Sequence, residues 1–167
     1  ISDSYGTRFV GVIRDLTPDR EAETLRQRAL HDALTGLPNH ANAKEQLHAS
    51  CDVANAGGEP FALLYLDLDR FKPVNDTHGH AAGDQVLQAV ARRLRHALSE
   101  RDLVARMGGD EFLVLLRGIG RLAHVESVAG RLRDTVTRPI LVGGLPLAIG
   151  ISAGAAVHGV DGTTPES

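Results

Sequence analysis

The sequence predicts a mixed α/β domain in which a central sheet with antiparallel strand pairs is covered by helices. Residues 61–69 are apolar until their acidic end, a pattern typical of a central strand buried on both faces. Two apolar runs flank the short turn 108–111, which indicates a β-hairpin. Helical segments alternate with these strands, and the combination of hairpins with alternation argues against a uniformly parallel sheet.

The other elements follow from the spacing of apolar residues and from turn signals. A loosely alternating strand at 6–15 precedes a charged helix at 17–31, and a helix at 41–56 ends at Gly57 and Gly58. Apolar residues recur at helical spacing from Gly83 to Leu98, which predicts an amphipathic helix against one face of the sheet. The remaining predictions are strands at 103–107 and 112–116, a helix at 121–137, and two strands around the glycine pair 143–144 that end near residue 158.

Composition excludes several classes of protein. The chain has 18 basic and 21 acidic residues, interspersed along its length, for a formal charge of −3, and this argues against nucleic-acid binding. Its apolar runs fall far short of the roughly 20 residues that a membrane helix needs, so no direct membrane contact is expected. Cys51 is the only cysteine, which rules out an internal disulfide and favours the cytoplasm.

Two acidic pairs are candidates for a metal site. Asp67 and Asp69 end the predicted central strand, where their carboxylates and the carbonyl of Leu68 could meet a hard cation such as magnesium; the alternative is a pair of solvated turn residues. Asp110 and Glu111 lie in a glycine hairpin, which an ordinary turn would also explain. The two pairs form one site only if their strands are neighbours, which the sequence pattern does not establish.

Between the acidic pairs, residues 71–84 leave a strand and open a helix. Backbone N–H groups at a helix start favour phosphate binding, and Asn75 and Asp84 could match the donors and acceptors of a nucleobase edge. The alternative is that Asn75 and its neighbours only cap a helix. His78 and His80 lack the spacing of a helical zinc site.

Three motifs in this order resemble the GGDEF family of diguanylate cyclases. The motif that names the family is Arg106-Met-Gly-Gly-Asp-Glu-Phe112, and upstream stand Asp32-Ala-Leu-Thr-Gly-Leu-Pro-Asn39 and the segment Asp67–Asp84. The resemblance covers residues from about 30 to the end of the chain. It implies a nucleotidyl cyclase-like fold and the condensation of two GTP into cyclic di-GMP, with release of pyrophosphate, by two facing copies of the domain.

The resemblance also implies residue roles. Asp67, Asp110 and the carbonyl of Leu68 would bind Mg²⁺ or Mn²⁺, and Glu111 would add negative charge to this catalytic site. Asn75 and Asp84 would read guanine. The backbone at Phe71 and Lys72 would bind phosphate, and Gly108 and Gly109 would let the substrate approach the hairpin. A catalytically silent module that binds GTP or dimerises, and that controls a neighbouring domain, is the alternative.

The ends of the chain and one internal position prompt further expectations. Residues 1–16 resemble the end of a PAS-like sensor domain or a linker strand, 17–31 a signalling helix, and 32–167 the GGDEF domain, which we expect to be truncated before its last helix. The parent protein could be tethered to a membrane, and an EAL phosphodiesterase domain often follows in such proteins. Many family members carry an Arg-x-x-Asp product-inhibition motif where this chain has Ser99-Glu-Arg-Asp102, so no tight feedback inhibition is expected.

Overall fold

A computed structural model describes residues 29–165; the predicted strand at 6–15 and nearly all of the predicted helix at 17–31 lie outside the described residues. Four helices of eight or more residues follow the turn 32–39: α1 (His40–Asn55), α2 (Phe71–His78), α3 (His80–Ala97) and α4 (Leu122–Val136). The strands are β1 (Phe61–Asp69), β2 (Leu103–Gly108), β3 (Glu111–Arg117), β4 (Ile140–Val142), β5 (Leu145–Leu147) and β6 (Gly150–Val157). Most of the predicted elements in this region are therefore confirmed, with small shifts at their ends. The prediction of two strands around the glycine pair 143–144 is wrong in number, because a break after β5 separates a third strand, β6.

The main sheet has four strands in the order β2-β3-β1-β6, and its paired strands run antiparallel. Strands β4 and β5 form a separate two-stranded ribbon. The mixed α/β class predicted from the alternating pattern is confirmed. Within residues 29–165 no helix is long and apolar enough to cross a membrane.

The two faces of the sheet are covered unequally. On one face Leu64, Leu66 and Leu68 of β1 join the core cluster that also contains residues of α3 and α4. On the other face α1 contributes Ala43 and Cys51 to two smaller clusters. The cover provided by α1 does not reach the end of β1, so Tyr65 and Asp67 are exposed. The prediction that β1 is buried on both faces therefore holds only for the first part of the strand. The acidic end of β1 therefore faces an open surface.

Two tight reversals lead from β1 into the helices. Arg70 has a φ of 60°, the only positive φ of a non-glycine residue in 29–165, and it turns the chain directly from β1 into α2. Gly79, with a φ of 82°, separates α2 from α3. The sequence prediction began a single helix at Gly83; the structure begins α3 at His80 and adds α2 before it. Thus α2 starts directly after the acidic end of β1, and α3 follows it across a single glycine.

Candidate active site

The two acidic pairs predicted from the sequence come together because β1 and β3 are neighbouring strands. Asp67 lies directly opposite Glu111 in the antiparallel register of β1 and β3. The backbone N–H of Leu68 donates to the carbonyl of Asp110 at 3.3 Å, so the hairpin turn lies beside the end of β1. This register answers the question that the sequence pattern left open.

Negative charge is concentrated in the acidic cluster, which we define as Asp67, Asp110 and Glu111. Burial raises the pKa of Asp67 above its ordinary value, and the charges of Asp110, Glu111 and Asp69 raise it further. Burial also raises the pKa of Tyr65, as do a hydrogen bond to the Glu111 carboxylate and the nearby negative charges. Within residues 29–165 the only Lys or Arg side chains that form salt bridges are Arg101 and Arg106, and neither pairs with the acidic cluster. A cation is therefore the natural complement of this site.

Asp69, the second acid of β1, is held differently. Its Oδ1 accepts a hydrogen bond of 2.6 Å from the Ser152 hydroxyl on β6. Its other oxygen lies over Gly150, where an added Cβ would approach to within 2.5 Å. Asp69 is thus tied to β6, and Asp67 is the acid of β1 that lies opposite the hairpin.

The hairpin turn gets its shape from two glycines and its position from an arginine. Gly108 and Gly109 have φ angles of 147° and 51°, as the predicted tight reversal requires. The Arg106 guanidinium donates to the Gly109 carbonyl, with its closer nitrogen at 2.7 Å, and to both carboxylate oxygens of Asp32 at 3.0 Å. The Arg106 side chain therefore links the hairpin turn, which carries Asp110, to Asp32 in the segment that enters the domain.

Asp32 is held by several donors at once. It accepts hydrogen bonds from the backbone N–H and the hydroxyl of Thr35, at 2.8 and 2.6 Å. Burial alone would raise the pKa of this carboxyl, but the Thr35 hydrogen bonds and the Arg106 guanidinium together hold the pKa below its ordinary value. Sequence reasoning placed Asp32 and Arg106 in motifs but did not predict that they pair.

The residues predicted to hold the nucleotide lie on α2 and α3. Phe71 and Lys72 form the first turn of α2, whose N-cap residue Arg70 makes no side-chain capping bond, so its backbone donors face no competing side chain. Within residues 29–165 no hydrogen bond engages the side chains of Asn75 or Asp84, and the side chain of Asn75 caps neither α2 nor α3, so the helix-capping alternative is wrong. The Asn75 amide lies against Gly83, the residue before Asp84.

Comparison with known proteins identifies the family. The model of the family described as "Diguanylate cyclase, GGDEF domain" matches residues 29–167. This chain belongs to the GGDEF family. The chain is 41% identical over 146 residues to the diguanylate cyclase TpbB of Pseudomonas aeruginosa, covering 87% of this chain and 34% of TpbB. It is 39% identical over 155 residues to the cyclic di-GMP phosphodiesterase PdeR of Escherichia coli, covering 89% of this chain and 23% of PdeR.

The fold of the GGDEF domain agrees with solved structures. A crystal structure of a sensory box/GGDEF family protein from Caulobacter crescentus superposes with a TM-score of 0.76 at 42% identity, covering 82% of this chain and 88% of that one. The resemblance stated from the three motifs is thereby confirmed. The chain spans about a third or less of the length of the two curated relatives, so their whole activities do not transfer directly.

The donor set of this GGDEF domain fits an open site for a divalent cation rather than a fully enclosed metal site. Within residues 29–165 no three His, Cys, Asp or Glu side chains converge on one point. Mg²⁺ is usually bound through one or two carboxylates, with waters and substrate phosphates completing its shell. Asp67 and the turn of Asp110 offer such an incomplete set of hard oxygen ligands, and the mutual repulsion of the acidic cluster would be relieved by the ion.

This repulsion predicts a stability effect. Asp67→Asn removes one of the clustered charges, so we expect the metal-free variant to unfold at a higher temperature than the wild type. Adding MgCl₂ should raise the unfolding temperature of the wild type more than that of the variant. Differential scanning fluorimetry with and without the salt measures both effects. A variant that is less stable without metal, or that responds to magnesium as the wild type does, would contradict the role of repulsion.

The carboxylate of Asp102 in the GGDEF domain already accepts hydrogen bonds from within the domain. Its Oδ2 accepts hydrogen bonds from the Ser99 backbone N–H and hydroxyl, at 3.1 and 2.7 Å, and its Oδ1 accepts from the Arg117 N–H at 3.2 Å. With serine at the position of the usual arginine, no guanidinium stands at the place in the motif that would pair with a phosphate, and the neighbouring Arg101 pairs with Glu59 instead.

We therefore expect cyclic di-GMP at micromolar concentrations to leave the initial rate of the domain unchanged. Initial rates measured with increasing added product test this expectation. Saturable inhibition at micromolar product that disappears in Asp102→Ala would show that the site works without its arginine.

Proposed function

We propose that this GGDEF domain is the catalytic domain of a diguanylate cyclase, which joins two GTP molecules into cyclic di-GMP and releases two pyrophosphates. The observation that carries the proposal is the register of β1 and β3, which sets Asp67 opposite Glu111 and brings the Asp110 backbone to Leu68. An uncompensated acidic cluster at an open sheet end is what a metal-dependent phosphoryl transfer requires. The similarity to a named diguanylate cyclase supports the same activity.

The acidic cluster and its neighbours would hold the metal. Asp67, Asp110 and the Leu68 carbonyl would bind Mg²⁺ or Mn²⁺, and Glu111 would contribute negative charge beside it. When bound, the ion supplies charge neutralisation for the departing pyrophosphate and acidifies the attacking 3′-hydroxyl. The chain's part is to hold these oxygens on two hydrogen-bonded strands, which limits their movement during the reaction.

The nucleotide would lie between the hairpin and the first turns of α2 and α3. Asn75 and Asp84, whose side chains make no hydrogen bonds within residues 29–165, would recognise the guanine edge. The backbone N–H groups of Phe71 and Lys72 at the uncapped start of α2 would donate to phosphate oxygens. Gly108 and Gly109 carry no side chains that would block the approach of the substrate to the turn.

A second copy of the domain would complete the reaction. Each copy would present one GTP, and alignment of the two nucleotides would supply much of the rate. The segment 17–31 would act as the signalling helix from a PAS-like sensor. The domain would act in the cytoplasm, also if the parent protein is tethered to a membrane. An EAL domain in the parent protein would be a neighbouring partner. The turn 32–39, which the Asp32–Arg106 pair ties to the hairpin, is where a signal from that helix would enter the domain.

The test is product analysis. Concentrated protein is incubated with GTP and Mg²⁺, and nucleotides are separated by chromatography, with ATP as a matched substrate control. We expect cyclic di-GMP from GTP alone, at a rate per mole of protein that rises with protein concentration because two copies must meet. Failure to form it at any protein concentration would contradict the proposal for this chain.

A regulatory module is the second candidate. Its support is that PdeR, at 39% identity, is named as a phosphodiesterase although it is similar to this chain. In this alternative the domain binds GTP or dimerises and controls a neighbouring domain without chemistry. GTP binding in the absence of product, measured in the same samples by calorimetry, would favour the regulatory role.

A further inference from the structure

Gly83 is placed so that it determines where the side chain of Asn75 can lie. A Cβ added at Gly83 would stand 1.9 Å from the Asn75 Oδ1, 2.9 Å from its Cγ and 3.1 Å from the Phe71 ring. We propose that Gly83 is a positioning residue that orients the Asn75 amide for guanine; this inference rests on the nucleotide site proposed above.

The backbone does not demand a glycine at this position. Gly83 lies inside α3, and its φ is outside the left-handed region. Gly79, which directly precedes the first residue of α3, does have a positive φ. Alanine is the better helix former, so helix propensity alone favours a side chain here. The requirement for glycine therefore comes from the space occupied by Asn75 and Phe71.

Neither the Asn75 backbone nor the Phe71 ring can move away easily. The Asn75 carbonyl accepts a hydrogen bond of 2.8 Å from the N–H of Gly79, which ends α2. Phe71 is buried, with 8% exposure, and belongs to the main core cluster. A methyl group at position 83 is therefore accommodated most easily by turning the Asn75 amide away, since the amide is the far end of a short side chain.

Contact, not hydrogen bonding, sets the position of this amide. Within residues 29–165 no hydrogen bond is made by the Asn75 side chain, so the surface of Gly83 is what limits its rotation. The amide is thus held against Gly83, the residue that precedes the other proposed guanine reader, Asp84, while its donors and acceptor stay available to a ligand. Turning it by a rotamer step would leave polar groups of the base unpaired.

The experiment compares nucleotide affinity by calorimetry in wild type, Gly83→Ala, Asn75→Ala and the double variant. Gly130→Ala is the matched control, because Gly130 also lies in a helix and a Cβ there meets nothing within 4 Å. The probe is the GTP analogue with a methylene group between the α- and β-phosphorus atoms, with Mg²⁺ present; the corresponding ATP analogue reports on phosphate contacts alone.

We expect Gly83→Ala to weaken the GTP analogue about tenfold and to leave the ATP analogue unchanged. Gly130→Ala should bind as the wild type does, and the double variant should bind as Asn75→Ala does, within about twofold. Wild-type affinity in Gly83→Ala, or a further tenfold loss in the double variant, would overturn the inference. If Gly83→Ala does not fold, the double variant, which lacks the clashing oxygen, must fold for the inference to stand.

The outcomes separate this inference from the proposed function. If the wild type does not bind the GTP analogue, the proposed nucleotide site is wrong and the role of Gly83 is overturned with it. If the wild type binds and Gly83→Ala binds equally well, only the role of Gly83 is overturned.

Discussion

Asp110→Ala should lower the rate of cyclic di-GMP formation by about 10²–10³-fold or more. The substitution removes a carboxylate from the acidic cluster, and with it a proposed ligand of the metal that neutralises the transition state. The fold should survive, because Asp110 lies in a two-residue turn whose reversal is made by Gly109 and whose position is held by Arg106. Initial rates from chromatography of the nucleotides, with circular dichroism as the folding check, measure both expectations.

Asp134→Ala is the matched control for this substitution. Asp134 is an exposed carboxylate on α4, and its removal changes the net charge of the domain equally. It should alter neither the rate nor the stability by more than surface substitutions usually do, about 0.5 kcal/mol. Substantial turnover by Asp110→Ala would remove Asp110 from the metal site, whereas equal losses in both variants would point to net charge as the cause.

Arg106→Ala should reduce both the stability and the turnover of the domain. The side chain of Arg106 is only 12% exposed and that of Asp32 24%, so the substitution leaves a half-buried carboxylate without its cationic partner and the Gly109 carbonyl without the guanidinium donor. We expect the free energy of unfolding to fall by about 2–3 kcal/mol. Release of the turn that carries Asp110 should lower the rate by about 10–100-fold.

Arg101→Ala provides the comparison with an exposed ion pair. Arg101 and Glu59 pair at the surface, with side chains 66% and 43% exposed, and such pairs contribute little. Urea unfolding should therefore show a change below about 0.5 kcal/mol for Arg101→Ala. If Arg106→Ala proves no more destabilising than Arg101→Ala, the Asp32–Arg106 pair does not hold the hairpin in place.

The same pair predicts a pH dependence. The pKa of Asp32 is lower in the folded domain than its ordinary value of 3.8, so the pair's contribution is complete above that pH. It is lost as the pH falls through the lower folded value. The difference in unfolding free energy between wild type and Asp32→Ala should thus be constant near neutral pH and shrink below about pH 4. A difference that persists unchanged into this acidic range would exclude the ionised carboxylate as its source.

Much of the fold and of the site is predictable from local patterns. The run of residues 61–69 is apolar up to its acids, and the structure places β1 at those positions. The glycines at 108 and 109 predicted the hairpin because only a positive φ permits so tight a reversal, and both have one. The spacing of apolar residues and the chemistry of turns act within a few residues, so both can be recognised without any knowledge of the remaining chain.

The motif residues were also recognisable along the chain, whereas their grouping was not. The acids of residues 67 and 110–111 belong to separate segments, and only the pairing of β1 with β3 makes them one cluster. Likewise, Asp32 and Arg106 stand 74 residues apart, and no local pattern links them.

The sequence alone therefore predicted the family motifs, most of the elements within residues 29–165 and the chemical types of the site residues. The tertiary structure decided which acid of β1 faces the hairpin: the register of β1 and β3 sets Asp67 opposite Glu111, whereas Asp69 accepts a hydrogen bond from Ser152 on β6. It also decided that Gly83 touches Asn75 across two helices. Strand order, register and helix packing arise from the burial of the whole core, which no short segment encodes, and they set the distances on which the chemistry depends.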